Sequence, residues 1–361
     1  MVYSQICSWV DDYLLGDAPE ELLDPWDFME WIQETELISV FNEYIIPTFS
    51  SVKARSHSVQ ILMALLWEYY LFRRSEAVVS VVCGSENVLR LQGLAATAQK
   101  SEAWYLEKQN VLTASEFGHV LQSGARQREV IRSKLGAGAG IPDLTVSLGH
   151  RDSLSWGTRF EPVIKSVYEQ VIAGRVAELG RIRHPSLGRL GASPDGIVET
   201  NGRLVEFKAP VSRKLETDII PYEYYCQVQV QMEVCDVELA DYCECRIASG
   251  PTWSTVASAS HRSRSIPSFV GCVAVVEVEG RWSYAYSPLY PDSEEGRAAA
   301  IMWSPEGLVE KHVWQLLDWQ LITFKRNRRW WTMVGLPAYE QFWRTVDAAR
   351  ADPMYFMPEE V

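Results

Sequence analysis

Two short β-rich runs, "GIVET" and "RLVEF", meet at Asn201-Gly202. An Asn-Gly pair between such runs is the strongest short-range hairpin signal. A two-residue type I′ turn needs positive φ at both positions, and these two residues tolerate it. With the turn closed there, Thr200 faces Arg203, Val198 faces Val205, Ile197 faces Glu206 and Asp195 faces Lys208. Opposed residues share a face, and so do residues two apart. Asp195, Glu206 and Lys208 are therefore expected on one face at the open end, with Val205 and Phe207 turned into a core.

Two carboxylates beside an amine suit a hard divalent cation, because magnesium prefers oxygen ligands and keeps several waters for chemistry. The lysine can orient a water or stabilise a phosphorane-like transition state. The same spacing also suits an exposed hairpin with a cross-strand ion pair of little energetic weight. Spacing alone leaves both open.

Around the hairpin, helical and strand patterns alternate. "SWGTRFEPVIKSVYEQVIA" reads as a helix with an apolar stripe of Phe160, Val163, Ile164, Val167 and Val171, and with Glu161 beside it. "YEYYCQVQVQMEV" is amphipathic at either period, and its length favours a helix. On that helix Gln227 and Gln231 share a face and Gln229 points elsewhere. Thr113 or Ser115 is placed to cap a helix starting near Glu116. "DYCECRIAS" and "FVGCVAVVEVEG" read as strands, with "SGPTWSTVASASHRSRSIPS" as a surface loop between them. "GAGAGIPD" is a loop, "ITFKRNRRWWTMV" a strand with its turn, and "LPAYEQFWRTVDAAR" the last helix. The expected class is α/β, a central mixed sheet flanked by helices. Residues 1–97 form a helical accessory region and residues 98–361 the main domain.

The net charge of −13 is unevenly spread. Residues 1–52 hold eleven Asp and Glu and no Lys or Arg, so the rest of the chain is close to neutral. A local basic channel is therefore compatible with the acidic total, and local field governs phosphate binding. "GARQREVIRSK" offers Arg126, Arg128, Arg132 and Lys134, either toward nucleic acid or as a solvated helix face. "FKRNRRWW" sets bases beside aromatics, which suits strand tracking; burial of the tryptophans is the alternative. The seven cysteines include no C-x-x-C pair, which favours reduced thiols. Cys243 and Cys245 fall on one side of a strand, a weak ligand-pair signal. The six histidines show no helical ligand spacing and there is no phosphate-binding G-x-x-x-x-G-K-[ST] loop. No apolar run reaches the roughly 18 residues of a membrane span, and no secretory signal pattern opens the chain. An intracellular location, nucleus or cytoplasm, is expected.

"SPDG…LVEFKAP" resembles the PD-(D/E)XK nuclease motif, in the form found in the YqaJ viral recombinase family, which includes lambda-type exonuclease and viral alkaline nucleases. Three further stretches follow in the family's order: "SEAWYLEKQNVLTASEF", "SWGTRFEP" and "YYCQVQVQM". The likeness runs over roughly residues 98–350. It implies a restriction-endonuclease-like core and a Mg2+-dependent exonuclease, with Mn2+ able to substitute. Its substrate would be duplex DNA with a free end, digested from the 5′ end, and a single-strand annealing or binding protein is an implied partner. The alternatives are an endonuclease or RNase of the same fold, since related viral enzymes also cut RNA, or a non-catalytic DNA-binding protein with a decayed site. Carried over by position, Asp195, Glu206, Glu161 and the Phe207 carbonyl would hold metal, Lys208 would be the catalytic lysine, and Gln227 would match the first Gln of "QVQ". Ser115 and Ser193 match a 5′-phosphate pocket. Lys108 stands where the family has Arg, which keeps the charge but loses the bidentate fork. Gln231, Arg126 and Arg128 complete the expected DNA-binding set.

Overall fold

The computed structural model describes residues 86–94, 97–99, 101–122, 124–136, 146–149, 152–215, 220–257 and 268–352. The expected helices of the acidic N-terminal segment and the "GAGAGIPD" loop after Gly136 lie outside these residues.

The chain opens with helices α1 (Glu86–Leu94) and α2 (Glu102–Glu107), strand β1 (Leu112–Thr113), and helices α3 (Ala114–Leu121), α4 (Ala125–Lys134) and α5 (Ser153–Ile172). Short strands β2 (Val176–Ala177), β3 (Ile182–Arg183) and β4 (Leu190–Ala192) lead to β5 (Gly196–Val198) and β6 (Leu204–Lys208). Then come α6 (Tyr222–Cys235), β7 (Leu239–Gly250), α7 (Trp253–Ala257), β8 (Phe269–Val278), β9 (Arg281–Tyr286) and β10 (Tyr290–Pro291). Helix α8 (Glu294–Met302), β11 (Leu308–Lys325) and α9 (Leu336–Ala351) close the fold.

The main sheet runs β10-β8-β11-β7-β6-β5-β2, with β9 also on β8, and a small sheet runs β1-β4-β3. β6 and β7 are parallel while the other pairs of the main sheet are antiparallel. A parallel pair cannot be joined by a hairpin and needs a crossover. Here α6 is that crossover, so chain connectivity itself lays α6 against β6. The two faces of the sheet have separate cores. Leu204, Ile197 and Tyr242 pack with α3, α6 and α9 on one side. Val205, Phe207, Cys243 and Cys245 pack against α5 and Trp314 on the other.

The hairpin forms, but not with the expected turn. Gly196 pairs with Val205 and Ile197 with Leu204. The loop is four residues, 199–202, closed by Val198 N–H donating to Arg203 O at 2.8 Å and Gly202 N–H to Val198 O at 2.8 Å. Only Gly202 has positive φ, at 71°. The Asn201 side-chain oxygen instead accepts from Arg203 N–H at 3.0 Å, a local bond that competes with the tight turn. Each pairing is displaced by two residues. An even slip preserves faces, so the grouping of Asp195 with Glu206 and Lys208 survives.

Other expectations are corrected by packing. Trp330 and Trp331 are buried against Phe117, so "FKRNRRWW" is not a strand-tracking surface. Its Lys325 is buried, and Arg326 and Arg328 pair with acids. The expected strand ends at Lys325, and where its turn was expected the chain becomes helical over Arg328–Trp330. The expected loop after Gly250 contains α7. Val171 is exposed, so the apolar stripe of α5 ends at Tyr168. Cys243 and Cys245 are core residues, and burial first of all holds the Cys245 thiol well above its ordinary range. Among the described residues no helix is long and apolar enough to cross a membrane.

Candidate active site

β6 carries the centre. Leu204, Glu206 and Lys208 face α6, and the alternate residues Val205 and Phe207 fill the opposite core. Glu206 is only 2% exposed. Burying a carboxylate is costly unless it is paired and hydrogen-bonded. Three donors meet that demand: Lys208 Nζ at 2.5 Å and Gln227 Nε2 at 2.6 Å on Oε1, and Gln231 Nε2 at 2.6 Å on Oε2. Gln227 Oε1 also accepts from Lys208 Nζ at 3.1 Å. The pair of glutamines four apart on α6 thus grips both oxygens of one acid. Gln229 points away, as expected from the helical period, donating to Lys325 O and accepting from Asn327 N–H.

Asp195 sits just before β5, and its Oδ2 accepts from Phe207 N–H at 2.7 Å. Burial, together with the charges of Glu206 and Glu161, pushes the Asp195 carboxyl well above the usual carboxylate range, against the pull of Lys208 and that N–H. Burial alone would lower the Lys208 amine, but Glu206 and Asp195 outweigh it and hold the amine above its ordinary value. Lys208 also lies 4.9 Å over the Tyr224 ring. Glu161, on α5, reaches this centre through its field on Asp195.

Glu206 and Asp195 therefore flank one lysine, and Glu161 acts on Asp195. As they stand, no three His, Cys, Asp or Glu side chains among the described residues converge closely enough to hold a metal ion. The chemistry of the set still fits a hard cation. All its donors are oxygens, and burial, with Glu206 and Glu161 nearby, keeps the Asp195 carboxyl raised despite Lys208. The Gln231 Oε1 atom is buried beside Glu206 with no hydrogen-bond partner among the described residues. It is the acceptor end of an amide whose donor end is fixed on Glu206.

A cleft of about 50 Å3 opens directly from this centre, lined by Trp104, Thr113, Ala114, Ser115, Ser193, Gln227 and Gln231. Its wall begins at the N-terminus of α3, where Thr113 caps the helix and Glu116 reaches back to the Thr113 N–H at 3.0 Å, a capping box. Both expected serines line the cleft. Lys108 is not among the lining residues, but its Nζ lies 4.9 Å over the Trp104 ring, and the Trp104 indole N–H donates to Ser193 Oγ at 3.0 Å. Trp104 was present in the quoted motif without a role; only folding shows it as the wall between Lys108 and Ser193. Arg181, which nothing in its local sequence marks, is buried 4.5 Å over the same ring and donates to Trp104 O at 2.7 Å.

The basic stretch of α4 divides. Arg126, Arg128 and Arg132 are exposed, and none lines the cleft. Arg126 pairs with Glu223 at 2.8 Å. Lys134 belongs to no basic face: it is fully buried and bound to Glu116 at 2.7 Å.

A mixed sheet with an acid and a lysine on one strand, a second acid just before the neighbouring strand, and a crossover helix gripping the first acid is the nuclease-type α/β core that the motif implies. Residues 103–238 match the family model of the YqaJ-like viral recombinase domain. Over 171 residues the chain is 28% identical to an uncharacterized protein of Acanthamoeba polyphaga mimivirus, a match covering 43% of this chain and 30% of that protein. Among solved structures it is similar to an alkaline exonuclease from Laribacter hongkongensis, with a TM-score of 0.42 and 16% identity, over 70% of this chain and 95% of that one. A phage-related exonuclease from Haemophilus somnus 129PT gives 0.33 and 9%, over 68% and 93%. The functional reading rests on the site and the family match.

Proposed function

We propose that the protein is a divalent-metal-dependent DNA exonuclease that digests one strand of linear duplex from the 5′ end, in recombination or processing of viral-type DNA. The observation that carries this is the continuity of two sites. The buried Glu206 is held by Lys208, Gln227 and Gln231, and next to it lies a cleft whose wall presents Ser115 and Ser193. The same two glutamines line both.

Asp195, Glu206, Glu161 and the Phe207 carbonyl would hold Mg2+, with Mn2+ as a substitute. When bound, the ion supplies polarisation of the phosphoryl group and a more acidic water. Lys208, kept protonated by its acidic neighbours, stabilises charge developing on the phosphoryl oxygens and orients the attacking water. Gln227 Oε1 fixes the lysine in place. Ser115 and Ser193 hold a terminal phosphate by hydrogen bonds, with Lys108 adding charge near Trp104.

The test is one assay with end-labelled linear duplex, closed circular DNA and RNA, each with magnesium or with EDTA. Stepwise loss of the 5′ strand of the linear duplex, abolished by EDTA and by Asp195→Ala, is expected. Cutting of circular DNA or of RNA at the same rate would replace the exonuclease reading with an endonuclease or ribonuclease one. Magnesium-dependent cutting by folded Asp195→Ala or Glu206→Ala would remove these residues from the metal site.

A further inference from the structure

A second charged group flanks Lys208 on the side away from the serine cleft. In the parallel pairing of β6 with β7, Glu206 lies beside Tyr242 and Lys208 beside Glu244. Adjacent parallel strands are about 4.8 Å apart, and paired residues share a face. Glu244 is therefore the next side chain over from Lys208. It is 0% exposed, and both its oxygens are taken. Arg213 Nη2 binds Oε1, and Gln320 Nε2 donates to Oε2 at 2.9 Å.

Arg213 differs from its partner in one respect: its side chain is 36% exposed. It sits five residues beyond Lys208, on the segment that leaves β6 at the site. Among the described residues only its Nη2 is engaged, so Nε and Nη1 are left to donate outward. A guanidinium is a planar fork whose donors act together on phosphate oxygens. Anchoring one nitrogen on a buried acid orients the others in advance, so little side-chain entropy is lost on binding. The Tyr242 hydroxyl is buried with no hydrogen-bond partner among the described residues, and Arg213 acts on it electrostatically.

We propose that Arg213 is a substrate-contacting residue: held by Glu244, it binds a backbone phosphate of the cleaved strand next to the one attacked at Lys208. This rests on the nuclease reading above. The competing account is that Arg213 serves only as counter-ion to Glu244, and the experiment separates the two.

Equilibrium binding of duplex DNA is measured against salt in EDTA, where no cleavage occurs, for wild type, Arg213→Ala, Arg213→Lys and the double variant Arg213→Ala/Glu244→Gln. The double variant removes both charges together, so it stays informative where Arg213→Ala alone leaves Glu244 buried and unpaired and fails to fold. Each phosphate contact contributes nearly one unit to the slope of log affinity against log salt. The expected result is a slope about one unit shallower in the double variant, with roughly tenfold weaker binding at low salt. Arg213→Lys should keep the slope and lose part of the affinity. With magnesium, KM should rise more than kcat falls. A double variant with wild-type slope and wild-type KM would overturn the proposal and leave Arg213 as a counter-ion. A wild-type protein that binds DNA but cuts nothing would sink the nuclease reading, while the salt slopes would still judge Arg213.

Discussion

At the scale of single residues, two buried charges serve different ends. Glu206 is buried where Lys208 and two glutamines bind it, and the proposed chemistry depends on that group. Lys208→Ala should reduce kcat by about 10²–10³-fold, the usual loss for one transition-state donor, with duplex binding in EDTA retained. Single-turnover cleavage checks this; a wild-type rate would make Lys208 a structural partner of Glu206. Lys134 is buried for the fold. It holds Glu116, which in turn caps α3 at the cleft wall. Lys134→Met leaves that acid without its partner and should cost about 3–5 kcal/mol, read from urea unfolding. Burial works to raise the Glu116 pKa, but Lys134 and Lys108 more than offset it and the net shift is downward. The contribution of Glu116 is therefore present above the ordinary carboxylate range and is lost as pH falls through the lowered value. Glu116→Gln should flatten the acid limb of the stability profile. The residue types at the centre were legible in the sequence, because hard-oxygen chemistry needs Asp, Glu and Lys close together. The pairing of Lys134 was not, because a lysine in a basic run looks the same whether it faces solvent or a buried acid.

At the scale of elements, the register of α3 on α6 sets the site. Gly118 of α3 lies so close to α6 that a Cβ there would fall 2.6 Å from the Glu223 Cα. Gly118→Ala should force the two helices apart, lower stability by about 1–3 kcal/mol, and move Gln227 and Gln231 relative to Glu206. Thermal unfolding and the cleavage rate check both effects; an unchanged rate with an unchanged melting temperature would mean that the contact is relieved cheaply. The hairpin teaches a related lesson. Its existence and faces followed from alternation, but its turn did not, because the Asn201 side chain took a backbone donor that the two-residue turn would have used. Likewise the stretch "FKRNRRWW" has a surface composition, yet the aromatic cluster of Phe117, Tyr225 and Trp330 draws its tryptophans inward. Periodicity reports what a segment can bury, not which neighbour arrives to cover it.

At the scale of the whole molecule, charge is separated from chemistry along the chain. The eleven acids of residues 1–52 carry none of the proposed ligands. Deleting residues 1–52 should therefore leave magnesium-dependent cleavage in place. If the segment shields a phosphate channel, the truncated protein should bind duplex more tightly at low salt, with the gap closing as salt rises. Affinity unchanged at low salt would exclude shielding, and a chain that no longer folds would place the segment in the core. By itself the sequence determined the hairpin, the face shared by Asp195, Glu206 and Lys208, and the shared face of Gln227 and Gln231. Those rest on periods of two and 3.6 residues, which are local properties of the backbone. Only the tertiary structure decided that both glutamines close on one carboxylate, that Trp104 joins Lys108 to Ser193, and that Glu244, in register with Lys208, binds Arg213. Those contacts join residues far apart in the chain, through a parallel crossover and a buried interface, and no local period encodes them.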